Sequence, residues 1–424
     1  MAVTQSFDPA RRAAAALLAA VTDEGRTLET ALETVRSYQP LQGRDRAFAR
    51  AIASASLRHL GRIDAVLARF MTRPLEEGAE TPRALLRTGA AQILALDTAP
   101  HAAVSATVDL ANAARSAQPF AKLINAVLRK VAGEGKDHFA ALPFGANLPD
   151  WLFTRWRAAY GDSDAEAIAQ ALAAEPPLDL RAKAGAALPP EARPGPFGAG
   201  RLDPGADLTS LAGFAEGDWW VQDAAASLPA QLLGEVAGRA VFDLCAAPGG
   251  KTMQLVAAGA AVTAVDRDEA RLARVRANLE RTKLTAEVIA ADVLTWKPEI
   301  LADGVLLDAP CTATGTLRRH PDVAWLRRPT DIEALALRQK ELLAHAANLL
   351  RPGGVLVYAV CSLEPEEGEG VAAQAPEGLI PDPITPDEAP AARITPQGWL
   401  RTLPSDAADQ GGMDGFFAAR FRKA

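Results

Sequence analysis

Apolar residues in the first third of the chain recur at helical spacing. Leu57, Leu60, Ile63, Val66, Leu67 and Phe70 follow steps of three, three, three, one and three, which lays one apolar stripe along a helix. Strand signals are nearly absent there. Pro74, Pro82, Pro100 and Pro119 fall where helices would start or stop, and the pattern predicts an all-helical domain over residues 1–138. From 139 to 235 the periodicity weakens into short helices and strands around a Pro/Gly-rich stretch, Leu188 to Gly205. This region reads as a linker and a small α/β subdomain.

From 236 to the C-terminus the period changes again. Short apolar runs at Ala240 to Leu244, Ala261 to Asp266, Ala286 to Ala290, Gly304 to Asp308 and Gly354 to Val360 predict strands. They alternate with helical stretches such as Glu269 to Lys283 and Ile332 to Leu350. That alternation predicts an α/β domain built on a parallel, doubly wound, Rossmann-like sheet, in which ligands sit at the carboxyl ends of the strands.

Composition narrows the class. With 49% hydrophobic and 23% charged residues the chain has the balance of a globular protein, and no apolar run approaches the roughly 20 residues that a bilayer requires. Arg11-Arg12 followed by Ala13 to Val21 has the outline of a targeting signal, but the stretch continues through Asp23 and Glu24 without a cleavage site. It predicts a first amphipathic helix. Three cysteines, Cys245, Cys311 and Cys361, argue against a disulfide framework and for a reducing cytoplasm. They show no close pair or histidine spacing that would suggest a metal.

The net charge of −7 is unevenly spread. Residues 1–140 hold 18 Lys/Arg against 14 Asp/Glu, whereas Glu364 to Gln410 holds 10 acidic and 2 basic residues with eight prolines. The latter reads as an irregular, solvated insertion, so overall acidity leaves another surface free to bind phosphate.

The chemistry-bearing residues fall at predicted strand ends. The first strand runs into Cys245-Ala246-Ala247-Pro248-Gly249-Gly250-Lys251-Thr252 and then a helix. Small residues and paired glycines let a ligand approach the backbone, and the helix start offers free N–H groups. It is not a phosphate-binding P-loop, because the residue five before Gly250 is Cys245. Asp266 ends the second strand at the spacing that suits a ribose hydroxyl pair, which leaves dinucleotides open. Asp292 follows the third, where a carboxylate could accept from an adenine amino group. Together they favour an adenosine ligand.

The fourth strand ends Asp308-Ala309-Pro310-Cys311 before basic Arg318, Arg319 and His320, and the fifth ends at Cys361. In a doubly wound sheet these two ends are neighbours, so Cys311 and Cys361 should face one cleft. One chemistry uses two thiols in this way. Thiolate addition at C6 of cytosine turns the ring into an enamine whose C5 attacks an activated methyl. A carboxyl group, with Asp308 the candidate, stabilises the adduct, and a second group serves its release. The residues alone do not say which cysteine does which. Basic side chains of the helical domain with Arg318 and Arg319 are the candidates for phosphate contacts.

Phe242 to Thr252, Asp308 to Gly315 and Tyr358 to Glu369 resemble the cofactor and two cysteine motifs of the RsmB/NOP/NSUN family of RNA 5-methylcytosine methyltransferases. Asp45 to Arg58, Leu85 to Gln92, Pro100 to Val104 and Ile124 to Arg129 resemble the NusB-like RNA-binding domain that precedes the catalytic part in bacterial members. Val221-Gln222-Asp223 and Gly411 to Phe417 also fit, so the resemblance covers nearly the whole chain. It implies S-adenosylmethionine as methyl donor and small-subunit ribosomal RNA as partner, with a transfer-RNA substrate the rival within the same chemistry. It implies no membrane and no metal, and a monomer is expected. Cys361 matches the family's nucleophile and Cys311 the cysteine linked to product release. Cys245 to Lys251, Asp266, Asp292 and Asp308 match its cofactor-binding positions, and Lys251 is implied to orient the base or Asp308. The later motif departs in one residue, reading Val360-Cys361-Ser362 where Thr-Cys-Ser is usual. A binding module with an inactive methyltransferase domain would have lost a cysteine or a cofactor carboxylate, and none is missing.

Overall fold

The computed structural model describes residues 8–390 and 392–424. The chain forms two compact units, the first made of the residues up to Ala173 together with His320–Arg327.

The first unit is helical. Pro9–Thr22 begins where the sequence supplies two start signals, since the Asp8 carboxylate accepts from the Arg11 backbone N–H and Pro9 takes the first helical position. That helix occupies the stretch with the outline of a targeting signal, as the amphipathic reading expects. The stripe from Leu57 to Phe70 is a correction, because it spans two helices, Gly43–Arg58 and Leu60–Phe70, separated by His59 at φ −113°, ψ 16°. The break sends the stripe into two cores: Leu57 packs with Leu17, Leu18 and Ala53, whereas Ile63, Val66 and Leu67 pack with Leu86, Ile93 and Leu128. Within this unit the segment His320–Arg327 is tied down by two bonds: Trp325 Nε1 donates to Leu57 O at 3.2 Å and Leu28 N donates to Asp322 Oδ2 at 3.0 Å.

The second unit holds two sheets. Among the described residues β1 (Leu178–Ala182), β2 (Arg193–Pro194), β3 (Gly200–Leu202) and β4 (Trp219–Val221) form an antiparallel sheet in the order β2-β3-β1-β4. The larger sheet contains β5 (Ala240–Leu244), β6 (Ala261–Asp266), β7 (Glu287–Ala290), β8 (Ala302–Asp308), β9 (Leu350–Val360), β10 (Leu379–Pro381), β11 (Arg393–Ile394), β12 (Leu400–Thr402) and β13 (Phe416–Lys423). Its order is β11-β12-β13-β9-β8-β5-β6-β7, with β10 paired to β13.

Strands β5 to β9 are parallel, and β5, β8 and β9 are adjacent. The expected parallel sheet is then extended by antiparallel strands, because β13 lies antiparallel to β9. The chain between them contains only a four-residue α-helix, Glu369–Ala372, among the described residues, too short for the crossover that a parallel partner requires.

The strands bury both faces by strict alternation. Phe242, Leu244, Val305, Leu307, Leu356, Tyr358 and Val360 face the helix Pro329–Asn348 through Leu342, Leu343 and Ala346. Val241, Leu306, Val355, Val357 and Ala359 face Leu228, Leu232 and Leu255. Residues 364–410 are the second correction. They are not a solvated insertion: Glu364, Glu367, Val371, Ile384, Leu400 and Leu403 are all buried, and the segment supplies three strands. Its prolines sit in turns, in loops or on a short edge strand, where a missing N–H costs little, and Glu367 is buried with hydrogen-bond donors around its carboxylate.

Candidate active site

The loop after β5 turns sharply. Cys245 at φ +61° and Gly249 at φ +98° adopt left-handed backbone, and Gly250–Ala257 follows as a helix whose first N–H groups have no intrahelical partner. The Ala247–Pro248 peptide bond is cis. Side chains from the next strand and helix fix the loop: Ala247 N donates to Asp266 Oδ2 at 3.1 Å, Arg271 donates to Ala247 O at 2.7 Å and Asn278 to Pro248 O at 3.1 Å. Burial, with Asp266 and Asp308 nearby, pushes the Cys245 thiol up to about 12, so this cysteine stays protonated.

Asp266 is buried at the end of β6, and its second oxygen accepts from Asp268 N at 3.1 Å. A carboxylate has about four lone-pair sites, so two remain for hydroxyl donors. Asp292 is half-exposed and shared: Leu294 N donates to it at 3.0 Å, and Arg338 reaches both oxygens at 3.0 and 3.2 Å. An adenine amino group there would bind beside Arg338.

One residue escaped the sequence reading. Asp243 lies within β5 and is fully buried, with Thr252 Oγ1 donating to its Oδ2 at 2.5 Å and its Oδ1 without a hydrogen-bond partner. Burial raises its carboxyl to about 7. The signal was available as a lone polar residue in an apolar strand, nine positions before a threonine at a helix start. An orphaned buried carboxyl oxygen at the end of β5, just before the Gly249–Gly250 loop, suits a cationic amine, and Asp266 suits a ribose. The residues therefore fit an adenosine ligand carrying an amino acid.

The ends of β8 and β9 bring the two cysteines together. Cys311 Sγ and Cys361 Sγ are 3.5 Å apart. Lys251 Nζ is 2.8 Å from Asp308 Oδ2, which joins the cofactor loop to the end of β8. Burial opposes the Lys251 charge, but Asp308, with Cys361 and Asp243 adding to it, offsets that cost and the ammonium is held above its ordinary value. Lys251 and Arg319 both interact electrostatically with the Cys361 sulfur. The Cys311 thiol is pushed well up by its hydrogen bond to Cys361, by burial and by Glu367.

The loops that carry the thiols are closely braced. Gly315 N donates to Cys361 O at 3.0 Å, and Gly415 N donates to Gly315 O at 2.8 Å. Arg318 is a third correction: it is buried, and its guanidinium donates to Gly411 O at 2.7 Å, so it does not present a charge to a phosphate. The solvent-facing reading of a basic cluster failed because the 411–415 loop covers it. Arg319 is paired with Asp414. Among the described residues no group of three or more His, Cys, Asp or Glu could hold a metal ion, and no helix is long and apolar enough to cross a membrane.

Comparison with known proteins matches two parts of the chain to two families. The family model for 16S rRNA methyltransferase RsmB/F matches residues 230–422, and the NusB family model matches residues 8–133. A ribosomal RNA small subunit methyltransferase B of Cronobacter sakazakii is 35% identical over 435 residues, covering 97% of this chain and 98% of that protein. One from Xanthomonas campestris pv. campestris is 40% identical over 379 residues, covering 85% of each. The crystal structure of PH0851 covers 97% of this chain and 99% of its own, with a TM-score of 0.76 at 22% identity, and shares the fold. A methyltransferase homolog protein from Pyrococcus horikoshii covers 65% of this chain and 96% of its own, with a TM-score of 0.54 at 27% identity.

Proposed function

From the premise that the chain belongs to the RsmB/F family of 16S rRNA methyltransferases, we propose that it methylates C5 of a cytosine in small-subunit ribosomal RNA through a transient cysteine adduct. S-adenosylmethionine, when bound, supplies the methyl group. The observation that carries the mechanism is the 3.5 Å separation of Cys311 and Cys361 beside the Lys251–Asp308 pair.

The chain's own residues account for each proton and electron pair. The Cys361 thiolate adds to C6 of the cytosine, and the electrons of the C5–C6 double bond move into the ring toward N3, where the Lys251 ammonium, held in place by Asp308, stabilises the developing charge. The electron pair returns through C5, which takes the methyl. Release then breaks the S–C6 bond, with the pair returning to sulfur, and the C5 proton must leave to restore the double bond. Cys311 passes its proton to the departing sulfur and recovers one from C5; Cys361 loses its proton to solvent before the next turnover. A base inside a helix is out of reach of such a site, so the target cytosine is held unstacked.

Asp243, Asp266 and the loop from Cys245 to Lys251 are the residues we assign to the methyl donor, with Asp292 on its adenine side. The helical unit, matched by the NusB family, is assigned to RNA. A transfer-RNA substrate is the weaker reading, because relatives 35–40% identical are named for the small subunit of the ribosome.

The test incubates wild type, Cys361→Ala and Cys311→Ala with labelled S-adenosylmethionine and unmodified small-subunit RNA, and scores methyl transfer and covalent protein–RNA adduct. Cys361→Ala is expected to lose both signals and Cys311→Ala to accumulate adduct. Normal methylation by Cys361→Ala would overturn the mechanism, and methylation of transfer RNA alone would overturn the substrate.

A further inference from the structure

Beneath the two cysteines lies one carboxylate that the mechanism above does not use. Glu367 is fully buried. Its Oε1 accepts from Thr312 N at 2.9 Å and from Gln339 Nε2 at 2.9 Å; its Oε2 accepts from Ser362 Oγ at 2.5 Å and from Thr312 Oγ1. Thr312 follows Cys311 and Ser362 follows Cys361, so the residue after each cysteine is fastened to the same side chain. Gln339 extends the clamp by donating also to Pro310 O at 2.9 Å. Tyr358 closes it from the sheet, with its hydroxyl donating to Glu367 O and lying 3.3 Å from Gln339 Oε1.

Four donors on two oxygens fit an ionised carboxylate, which only accepts. Burial raises the Glu367 carboxyl, and the bonds from Ser362, Thr312 and Gln339 oppose that rise. Cys361, Glu367 and Tyr358 are among the groups facing Cys311, and of these three Glu367 is the carboxylate. Cys361 is faced by two cations, Lys251 and Arg319. The environment of the pair is therefore electrostatically lopsided, negative at one sulfur and positive at the other.

We propose that Glu367 is a positioning residue for the cysteine pair: it anchors both thiol-bearing loops to one point and, by its charge, keeps the shared proton on Cys311. This rests on the two-cysteine reading for its meaning, but not for its test. Two identical thiols 3.5 Å apart have no intrinsic reason to divide into nucleophile and proton donor. A buried charge on one side supplies that reason.

The test is alkylation of Cys311 by iodoacetamide as a function of pH, followed by peptide mass spectrometry. It compares Cys361→Ala with Cys361→Ala/Glu367→Gln, so that only one of the two thiols remains. It needs no RNA and no methyl donor. Glutamine keeps the shape of the side chain and removes its charge, and the midpoint for Cys311 is expected to fall by about one pH unit. Ser362→Ala in the same background removes one leg of the clamp but leaves the charge, and should leave the midpoint in place while slowing adduct formation when Cys361 is present. An unchanged midpoint in the glutamine variant, with thermal unfolding like that of its parent, would overturn the proposal. If the glutamine variant does not fold, a Ser362→Ala midpoint shifted downward overturns it instead. Failure of the two-cysteine mechanism would appear separately, as normal methylation by Cys361→Ala.

Discussion

Lys251 Nζ and Asp308 Oδ2 meet at 2.8 Å although 57 residues separate them. The contact joins the loop after β5 to the end of β8. Both side chains are largely buried, so deleting one partner leaves the other charge poorly solvated. Lys251→Met is expected to lower methyl transfer by roughly 100-fold and stability by about 3 kcal/mol, read from single-turnover kinetics and denaturant unfolding. The folded pKa of Lys251 is raised, so the pair's contribution is complete below the lysine's ordinary value near 10.5 and is lost only as pH rises through the higher folded value. Between pH 6 and 9 the pair therefore stays intact, and a bell-shaped rate profile in that range must come from other groups. If Lys251→Met leaves both the single-turnover rate and the unfolding free energy unchanged, this assignment is wrong.

Gly315 is a point where backbone meets backbone. A Cβ there would lie 2.0 Å from Gly415 O and 3.0 Å from Cys361 O, and neither carbonyl can rotate away as a side chain would. Gly315→Ala is expected to destabilise by about 2–4 kcal/mol and to reduce adduct formation more than donor binding, because the backbone it displaces, Gly415 first and Cys361 behind it, braces the loop that carries a thiol. Equilibrium binding of S-adenosylhomocysteine, run beside the adduct assay, separates the two effects. Equal losses in both would show that the loop simply unfolds.

The sheet was legible because its strands are short apolar runs between turn residues. The expected bounds of β5 and β6 match the structure, and adjacency of strand ends sufficed to bring Cys311 and Cys361 into one cleft. Four things were not legible, for related reasons. The break at His59 leaves the apolar period intact, so periodicity cannot register it. Arg318 looks like surface by composition, yet the 411–415 loop, almost a hundred residues on, covers it. Asp243 shows in the sequence only as a lone polar residue in an apolar strand, and Glu367 as one acid among several; what each does depends on partners, Thr252 for one and Thr312, Gln339 and Ser362 for the other. Three of those four partners lie at a different place in the chain or on a different element, and only folding supplies them.

Arg44 and Arg50 are exposed on the helix Gly43–Arg58, whereas Arg46 on the same helix lies over the Tyr38 ring at 4.3 Å from its centroid. The exposed pair is free to neutralise phosphate and the stacked one is partly engaged. Replacing Arg44 and Arg50 by Ala should flatten the slope of log affinity against log salt by about one to two for single-stranded RNA, with thermal unfolding unchanged. Filter binding across a salt series measures it. An unchanged slope would place the RNA contacts on another face.

Asp243 gives a stability signature that needs no RNA. Its folded carboxyl is raised to about 7 by burial, against an ordinary value near 3.9. The unfolded chain therefore ionises first as pH rises, and stability that is present below the ordinary value is lost progressively up to the folded one. The loss approaches about 4 kcal/mol if the full shift is realised. Asp243→Asn cannot titrate, so any fixed cost of burying the amide is the same at every pH. The difference in unfolding free energy, variant minus wild type, should grow more positive from pH 4 to pH 8. An ammonium group bound against Oδ1 would stabilise the ionised form and pull the folded value down. Saturating S-adenosylhomocysteine, which carries that ammonium, should then reduce the growth between pH 5 and 7 in wild type relative to the variant. A difference that is flat with pH removes the raised carboxyl, and one that responds to pH but not to ligand removes Asp243 from the donor site.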